Sequence, residues 1–182
     1  MKLNKKLAEE ILKMAKMDQD ARFGSMKAKD RKEAGLKIIV IDKKNTKRAK
    51  EIIKKYGWPG FNLVGKKAGH MFWLIVQHAD LNPKFQKQCL KLLKRAVKDK
   101  QAFPSDEALL TDRVLVNSGK EQIYGTQFHR DKKLNLVPRP IGDIKNLDKR
   151  RKSVRLEPFK EYQKKMEKRG KETKKMVLKK RS

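Results

Sequence analysis

The sequence predicts a mainly α fold: one compact helical domain with a small β-hairpin near residues 121–141 and a basic helical extension at the C terminus. Two observations lead to this class. Apolar residues recur at helical spacing through most of the chain, and typical capping residues bound several of these segments. The 182 residues suffice for one domain with a core, expected over residues 1–162, with a Lys-rich extension over residues 163–182.

The first twenty residues have the pattern of an amphipathic helix, because Leu3, Leu7 and Ile11 recur every four residues between charged side chains. If this stripe were exposed, the helix would be a docking surface for a partner protein. The charged run over residues 23–35 indicates a connector. The stretch LKIIVID, residues 36–42, is either a short buried strand or a helical turn, and its periodicity fits both.

Clear helix boundaries occur in the middle of the chain. Asn45 or Thr46 can cap a helix that ends at Gly57, because glycine readily adopts the left-handed conformation found there. Asn82 and Pro83 provide the cap and the first-turn proline of another helix. We therefore expect helices from residue 45 or 46 to 56, from about 66 to 80, and from 83 to about 98.

The last part of the chain should contain one further helix, two strands and two basic helices. Ser105 can cap the further helix, whose first turn carries Asp106 and Glu107, where acidic groups interact favourably with the helix dipole. The stretches EQIYGTQF and LNLVPRPI have the pattern of short strands joined by a polar turn. The remaining residues predict one short and one longer basic helix.

The composition is strongly basic. The 50 Lys and Arg outnumber the 21 Asp and Glu, which gives a formal net charge of +29, and a charge of this size attracts phosphate polyanions or anionic surfaces. A single cysteine excludes an intrachain disulfide and a cysteine-based zinc cluster, so we expect a cytoplasmic protein. We expect no secretory signal and no membrane partner, because charges interrupt the apolar residues throughout.

The apolar segment 70–80 carries Gln77, His78 and Asp80 near its end. Since this helix is apolar nearly all round, it should be a central buried element. Burying an amide or an imidazole without partners costs on the order of 1 to 3 kcal/mol, so these groups need partners. They are either satisfied core residues or the lining of a concave site in which His78 exchanges a proton near neutral pH.

Further polar candidates follow along the chain. Asp112 and Arg113 lie on the helix predicted after Ser105, where they form either an internal ion pair or an anion contact. In the predicted strand EQIYGTQF, Tyr124 and Thr126 should face one side and Gln127 the other.

Several common chemistries are not indicated. The three histidines, His70, His78 and His129, are widely spaced and form no metal motif, and the chain contains neither a Walker loop nor a GxGxxG motif. Cys89 lies in an apolar row, which fits a small core residue better than a nucleophile. We therefore expect no metal and no cofactor.

Four motifs occur in order: GWP at residues 57–59, QHAD at 77–80, DR at 112–113 and YGTQ at 124–127. With them the chain resembles a bacterial family of domains of unknown function over roughly residues 40–162, with a weaker match at DQDAR. The resemblance implies a mostly helical domain without an assigned activity. Its signature is rich in polar side chains, which favours a site over a scaffold. The corresponding positions here are Gly57, Trp58, Pro59, Gln77, His78, Asp80, Gln86, Asp112, Arg113, Tyr124, Gly125, Thr126 and Gln127.

The leading hypothesis is a cytoplasmic helical domain that binds a small polar or phosphorylated ligand, with acid/base chemistry at His78. Asp80 or Asp112 would orient the imidazole, and Arg113 would contact an anionic group. The hydrogen-bonding shell would consist of Gln77, Gln86, Tyr124, Thr126 and Gln127.

The alternative hypothesis is a basic protein that binds RNA or the ribosome without catalysis. Residues 128–182 carry a net charge of +14, which suits phosphate binding. This alternative involves no reaction, so the sequence leaves open whether the protein is an enzyme. The cations proposed to contact phosphates are Lys149, Arg150, Arg151, Lys152 and Arg155.

Overall fold

Helices make up most of the structure, as the sequence predicts. The computed structural model of the protein describes residues 3–28 and 30–178, apart from the side chains of residues 26, 27 and 175–178. This part of the chain forms seven α-helices and two short antiparallel strands, which confirms the predicted fold class. In chain order they are α1 (Lys5–Lys27), α2 (Arg31–Tyr56), α3 (Phe61–Gln77), α4 (Pro83–Lys98), α5 (Pro104–Val116), β1 (Phe128–Arg130), β2 (Leu136–Pro138), α6 (Leu147–Ser153) and α7 (Phe159–Leu178).

The chain divides into two compact units, a first unit of residues 1–110 and a second unit of residues 111–182. In the first unit, α3 packs against α1, α2 and α4; in the second unit, α7 packs against β2 and α6. A single domain over residues 1–162 stays a prediction. The boundary predicted at residue 162 falls within α7, and residues 179–182 of the predicted extension lie outside the described residues.

The helix α3 is the central buried element of the first unit. Its side chains Phe72, Ile75 and Val76 are almost completely buried, as expected for a helix that is apolar nearly all round. It begins five residues earlier than predicted, at Phe61, because Gly65 adopts a φ of +79° and lets the chain continue across a kink.

The first two helices are longer than the sequence indicates. Leu7 and Ile11 of α1 are buried in the first unit, whereas Leu3 is 48% exposed, so most of the predicted stripe is packed and does not form a docking surface. The segment 31–56 forms one continuous helix, capped by the side chain of Asp30, which accepts a hydrogen bond from Glu33 N. The helix start predicted at Asn45 or Thr46 is therefore wrong, because both residues lie on the buried side of α2.

The boundaries predicted for α4 are confirmed. The helix begins at Pro83 and ends at Lys98. Cys89 is fully buried on its inner face, and this burial raises the pKa of the thiol to about 12. Cys89 is thus a core residue, as its position in an apolar row predicts.

The YGTQ segment is not a strand. The predicted hairpin is present, but its strands are β1 and β2, with His129 opposite Val137. Residues 123–127 form a loop in which Gly125 has a φ of +66°. The prediction that Tyr124 and Thr126 face one side of a strand and Gln127 the other is therefore wrong.

We expect Gly125→Ala to lower the free energy of unfolding by about 2 kcal/mol or more, because the φ angle of residue 125 is positive and there is no room for a methyl group. A Cβ at this position would lie 2.8 Å from Phe159 Cε2. Urea denaturation followed by circular dichroism measures the change. The matched control is Gly35→Ala in α2, where a Cβ meets nothing within 4 Å and alanine should add about 0.5–1 kcal/mol of helix stability. Equal stability of Gly125→Ala and the wild type would contradict this account.

Candidate functional site

The imidazole of His78 is held by a buried carboxylate at the end of α3. His78 Nδ1 lies 3.0 Å from both carboxylate oxygens of Asp18 in α1. The Asp18 side chain is 1% exposed, whereas the His78 side chain is 17% exposed. Since the carboxylate accepts a hydrogen bond from Nδ1–H, the neutral imidazole has its basic lone pair on Nε2.

Asp18 is also the first member of a chain of charges that joins α1 to α2. Arg22 Nη1 lies 2.8 Å from Asp18 Oδ1, and Arg22 Nη2 lies 2.9 Å from Asp42 Oδ1. Burial acts to raise the pKa of the Asp18 carboxyl, but the hydrogen bond and charge of His78, with the charge of Arg22, lower it below its ordinary value. Burial raises the pKa of Asp42, and Arg22 offsets only part of this effect.

The carboxylate that contacts His78 was not among the candidates from sequence. Asp18 continues the buried stripe of Leu7, Ile11 and Met14, with spacings of four, three and four residues. A carboxylate on the apolar face of an amphipathic helix needs a buried partner, and this was the signal that could have identified it.

Gln86 and Gln77 hold the end of α3 in place. Gln86 is fully buried, and its Nε2 donates to the carbonyl oxygens of Val76 and Gln77 and to Asp80 Oδ1, at 3.1 to 3.3 Å. Gln77 Nε2 donates to Leu109 O at 3.4 Å. Both glutamines thus bind backbone groups of the first unit, and Asp80 is joined to Gln86.

A second histidine–aspartate pair lies earlier on α3. His70 Nδ1 is 2.9 Å from Asp106 Oδ1, and the imidazole stacks on the Trp73 ring with 5.0 Å between centroids. The hydrogen bond and charge of Asp106 raise the pKa of His70, whereas burial raises the pKa of Asp106. The His70 side chain is 40% exposed, more than twice the value for His78.

In the second unit, Asp112 organises the YGTQ loop. Its carboxylate is fully buried and accepts hydrogen bonds from the backbone N–H groups of Ile123, Tyr124 and Thr126, at 2.7 to 3.2 Å. The Thr126 hydroxyl donates to the same carboxylate at 2.9 Å. A carboxylate with this many donors replaces the ladder bonds that a strand would have made.

The remaining signature residues of the second unit join this network. Arg113 Nη1 donates to Gln127 Oε1 at 3.0 Å, and Gln127 Nε2 donates to the Thr126 hydroxyl. Gln122, which the sequence analysis did not select, is fully buried and binds the backbone of Gln127 and of Arg139. The DR and YGTQ motifs therefore meet in one hydrogen-bonded cluster.

The cations proposed for phosphate binding have different surroundings. Arg151 is 1% exposed and donates to the carbonyl oxygens of Tyr124 and Glu157, so its guanidinium does not face solvent. Arg150 donates to Ile123 O and forms an ion pair with Asp143. Lys149, Lys152 and Arg155 are exposed.

Described residues of the first unit line a groove on each of two sides. One of about 930 Å³ lies between α1 and α2, and its lining includes Ala21 and Ile41, the residues that precede Arg22 and Asp42. The other, of about 420 Å³, lies between the GWP segment and α4. His78 is in neither lining.

The described residues contain no cluster of three or more His, Cys, Asp or Glu side chains placed to hold a metal ion. No helix in that same part of the chain is both long enough and apolar enough to cross a bilayer.

A model of a family of unknown function (DUF6624) matches residues 5–174, which is nearly the whole chain. No curated protein and no solved structure matches the sequence.

We expect Asp112→Asn to lower the free energy of unfolding by about 2–3 kcal/mol, because the new NH₂ group faces backbone donors and leaves them without an acceptor. Urea denaturation measures this change. Asp131→Asn is the control, since Asp131 also accepts a backbone N–H, that of Asn135 at 2.8 Å, but in an exposed loop where water can replace it. A cost for Asp112→Asn no larger than that of the control would contradict the assigned role.

The His70–Asp106 pair predicts a pH-dependent contribution to stability. Since the pKa of His70 is raised in the folded state, its contribution is fully present below the unfolded pKa, near 6.5, and is lost as pH rises through the folded pKa. The stability difference between the wild type and His70→Gln should therefore be larger at about pH 6 than at about pH 8.5, as measured by urea denaturation. Asp106→Asn should likewise lose more free energy of unfolding, relative to the wild type, at about pH 6 than at about pH 8.5. If the difference between the wild type and His70→Gln were the same at both pH values, the pairing would be excluded.

Proposed function

The chain belongs to the DUF6624 family, whose function is unknown, and we propose that its first unit binds a small polar or phosphorylated ligand and transfers a proton through His78. The observation that carries this proposal is the contact of His78 Nδ1 with both oxygens of the buried Asp18. A carboxylate in this position fixes the ring orientation and the tautomer of the imidazole, and leaves Nε2 for a reaction partner.

The chemistry follows from the environment of the pair. The carboxylate of Asp18 stabilises the imidazolium that forms when Nε2 accepts a proton, so His78 can act as a general base and then return the proton as a general acid. The charge of Arg22, whose guanidinium lies 2.8 Å from the carboxylate, adds to the effect of His78 in lowering the pKa of Asp18. Arg22 and Asp42 are therefore positioning residues for the His78–Asp18 pair.

The ligand class rests on the charge of the chain. A net charge of +29 raises the local concentration of anionic molecules. The groove between α1 and α2 is not assigned to this ligand, because Asp20, Asp30 and Glu33 line it and His78 does not. The contributions of Arg113, Tyr124, Thr126 and Gln127 to ligand binding, and the cytoplasmic location, stay predictions.

The competing explanation is structural: Asp18 and His78 tie α1 to α3, and the imidazole has no further role. This explanation predicts that replacing His78 changes stability alone. The proposed function predicts in addition that a ligand effect depends on His78 and not on His70, the other histidine of α3 that contacts a carboxylate.

We expect His78→Gln to abolish the response of the protein to its ligand while leaving the helical circular dichroism signal unchanged. The measurement is a thermal shift assay with nucleoside monophosphates and diphosphates, sugar phosphates and inorganic phosphate. At least one compound should raise the melting temperature of the wild type and of His70→Gln, but not that of His78→Gln.

Nitrogen-15 NMR of the histidine rings provides the matching test of the geometry. In the wild type the neutral His78 ring should carry its proton on Nδ1, and Asp18→Asn should change this tautomer. The proposal would be overturned if the compounds changed the melting temperatures of the wild type, His70→Gln and His78→Gln equally, or changed none of them. A neutral His78 ring with its proton on Nε2 in the wild type would also overturn it.

A further inference from the structure

All charged residues on the outward face of α4 are cations. Between Pro83 and Lys98 the sequence contains no Asp or Glu, and the inner face is formed by buried residues such as Phe85, Cys89 and Leu93. The charged residues are exposed and recur every three to four residues, so they share one side of the helix. They are Lys84, Lys87, Lys91, Lys94, Arg95 and Lys98.

The C-terminal half of α2 carries a second row of cations. Lys43, Lys47, Lys50 and Lys54 are exposed, and their spacing of four, three and four residues places them along one stripe. The only acidic residue between Lys43 and Tyr56 is Glu51, which forms an ion pair with Arg48. This half of α2 is therefore nearly as one-sided in charge as α4.

The two rows border one surface of the first unit. Lys50 Nζ of α2 lies 3.0 Å from Asn82 Oδ1 and 5.7 Å from the centre of the Phe85 ring, at the start of α4. Further along, Tyr56 and Arg95 line the same groove. The end of α2 thus runs beside α4.

The groove at the end of this surface contains aromatic rings. Tyr56 and Trp58 line it together with Arg95, and its volume is about 420 Å³. Tyr56 is 37% exposed, and Lys55 Nζ lies 5.2 Å from the centre of its ring. Cations along a surface combined with accessible aromatic rings are the features that bind single-stranded nucleic acids, in which phosphates pair with the cations and bases stack on the rings.

We propose that the α2–α4 surface binds a single strand of nucleic acid, with phosphates along the lysines of both helices and a base in the groove against Tyr56 and Trp58. This inference is independent of the proton transfer proposed for His78. It places the nucleic-acid interface in the first unit, whereas the sequence hypothesis placed it at residues 149–155, where Arg150 and Arg151 are engaged with backbone carbonyls.

Acidic groups at the border of the surface limit its extent. Asp99 follows α4 and lines the groove, and the charge of Lys94 acts on Glu107 of α5. Most phosphate contacts should therefore lie along α4 itself, which has no Asp or Glu, and the groove should hold a base at the end of the strand. A membrane surface fits less well, because α4 exposes no large hydrophobic side chain that could enter lipid.

The test is fluorescence anisotropy with labelled 12-nucleotide oligo(U) and oligo(dT) over a range of NaCl concentrations. Lys84→Gln/Lys87→Gln/Lys91→Gln should weaken binding at least tenfold. The triple variant should also make the slope of log K against log[salt] less steep by about 2, because each of the three lost phosphate contacts contributes about 0.7 to the slope for a single strand. Equal losses with both oligonucleotides indicate contacts to the phosphates that both share, and a larger loss with oligo(U) indicates that these lysines also contact the sugar or the base.

The matched control removes the same charge from α7, where Lys160, Lys164 and Lys168 are also exposed. Lys160→Gln/Lys164→Gln/Lys168→Gln should change the affinity by less than about twofold. Equal weakening by the two triple variants would show general charge attraction and overturn the proposal, as would weakening by the α7 variant alone.

The groove is tested by Tyr56→Ala, which should weaken binding about tenfold, whereas Tyr56→Phe retains the ring and should bind normally. Absence of binding to either oligonucleotide would reject the proposal. Tighter binding to a duplex of the same length would also reject it. Binding to phosphatidylserine vesicles but to no oligonucleotide, unchanged in Tyr56→Ala, would show a membrane surface instead.

Discussion

A buried carboxylate constrains the arrangement of the first three helices. Asp18 is almost completely shielded from water, and an ionised group in that position is tolerated only when it is paired and hydrogen-bonded. His78, directly after α3, and Gln19 and Arg22 of α1 supply those partners, and Arg22 extends the chain of charges to Asp42 of α2. The positions of α1, α2 and α3 along one another are therefore coupled, because sliding α2 would separate Asp42 from Arg22, and sliding α3 would remove the hydrogen bond of His78 from Asp18.

The second unit uses the same physical device for a different purpose. Asp112 also buries a carboxylate, but most of its donors are backbone N–H groups, so it shapes a loop instead of aligning helices. Thr126 and Gln127 complete that network, and Gln86 plays a comparable role at the end of α3. Much of the polar signature in this chain is thus occupied in holding backbone.

The parts of the fold that depend on local sequence were predictable, and those that depend on distant partners were not. Pro83 marks the start of α4 because proline suits the first position of a helix, whereas the Asn82 side chain makes no capping hydrogen bond. Asn45 and Thr46 also belong to the residue types that favour helix caps, yet they lie inside α2, where their burial outweighs this preference. The YGTQ segment has the alternation of a strand, but the carboxylate of Asp112 captures its N–H groups. The partner of His78 is 60 residues away in sequence, a distance that periodicity does not detect.

The inert thiol of Cys89 makes this chain well suited to chemical labelling. Thiol reagents such as maleimides react with the thiolate, and a fully buried cysteine whose pKa is near 12 presents almost none at neutral pH. Because Cys89 is the only cysteine, a new one introduced on the surface would be modified alone, without first removing the native residue. A fluorophore or spin label could then be attached at any chosen exposed position while the packing around α4 stays native.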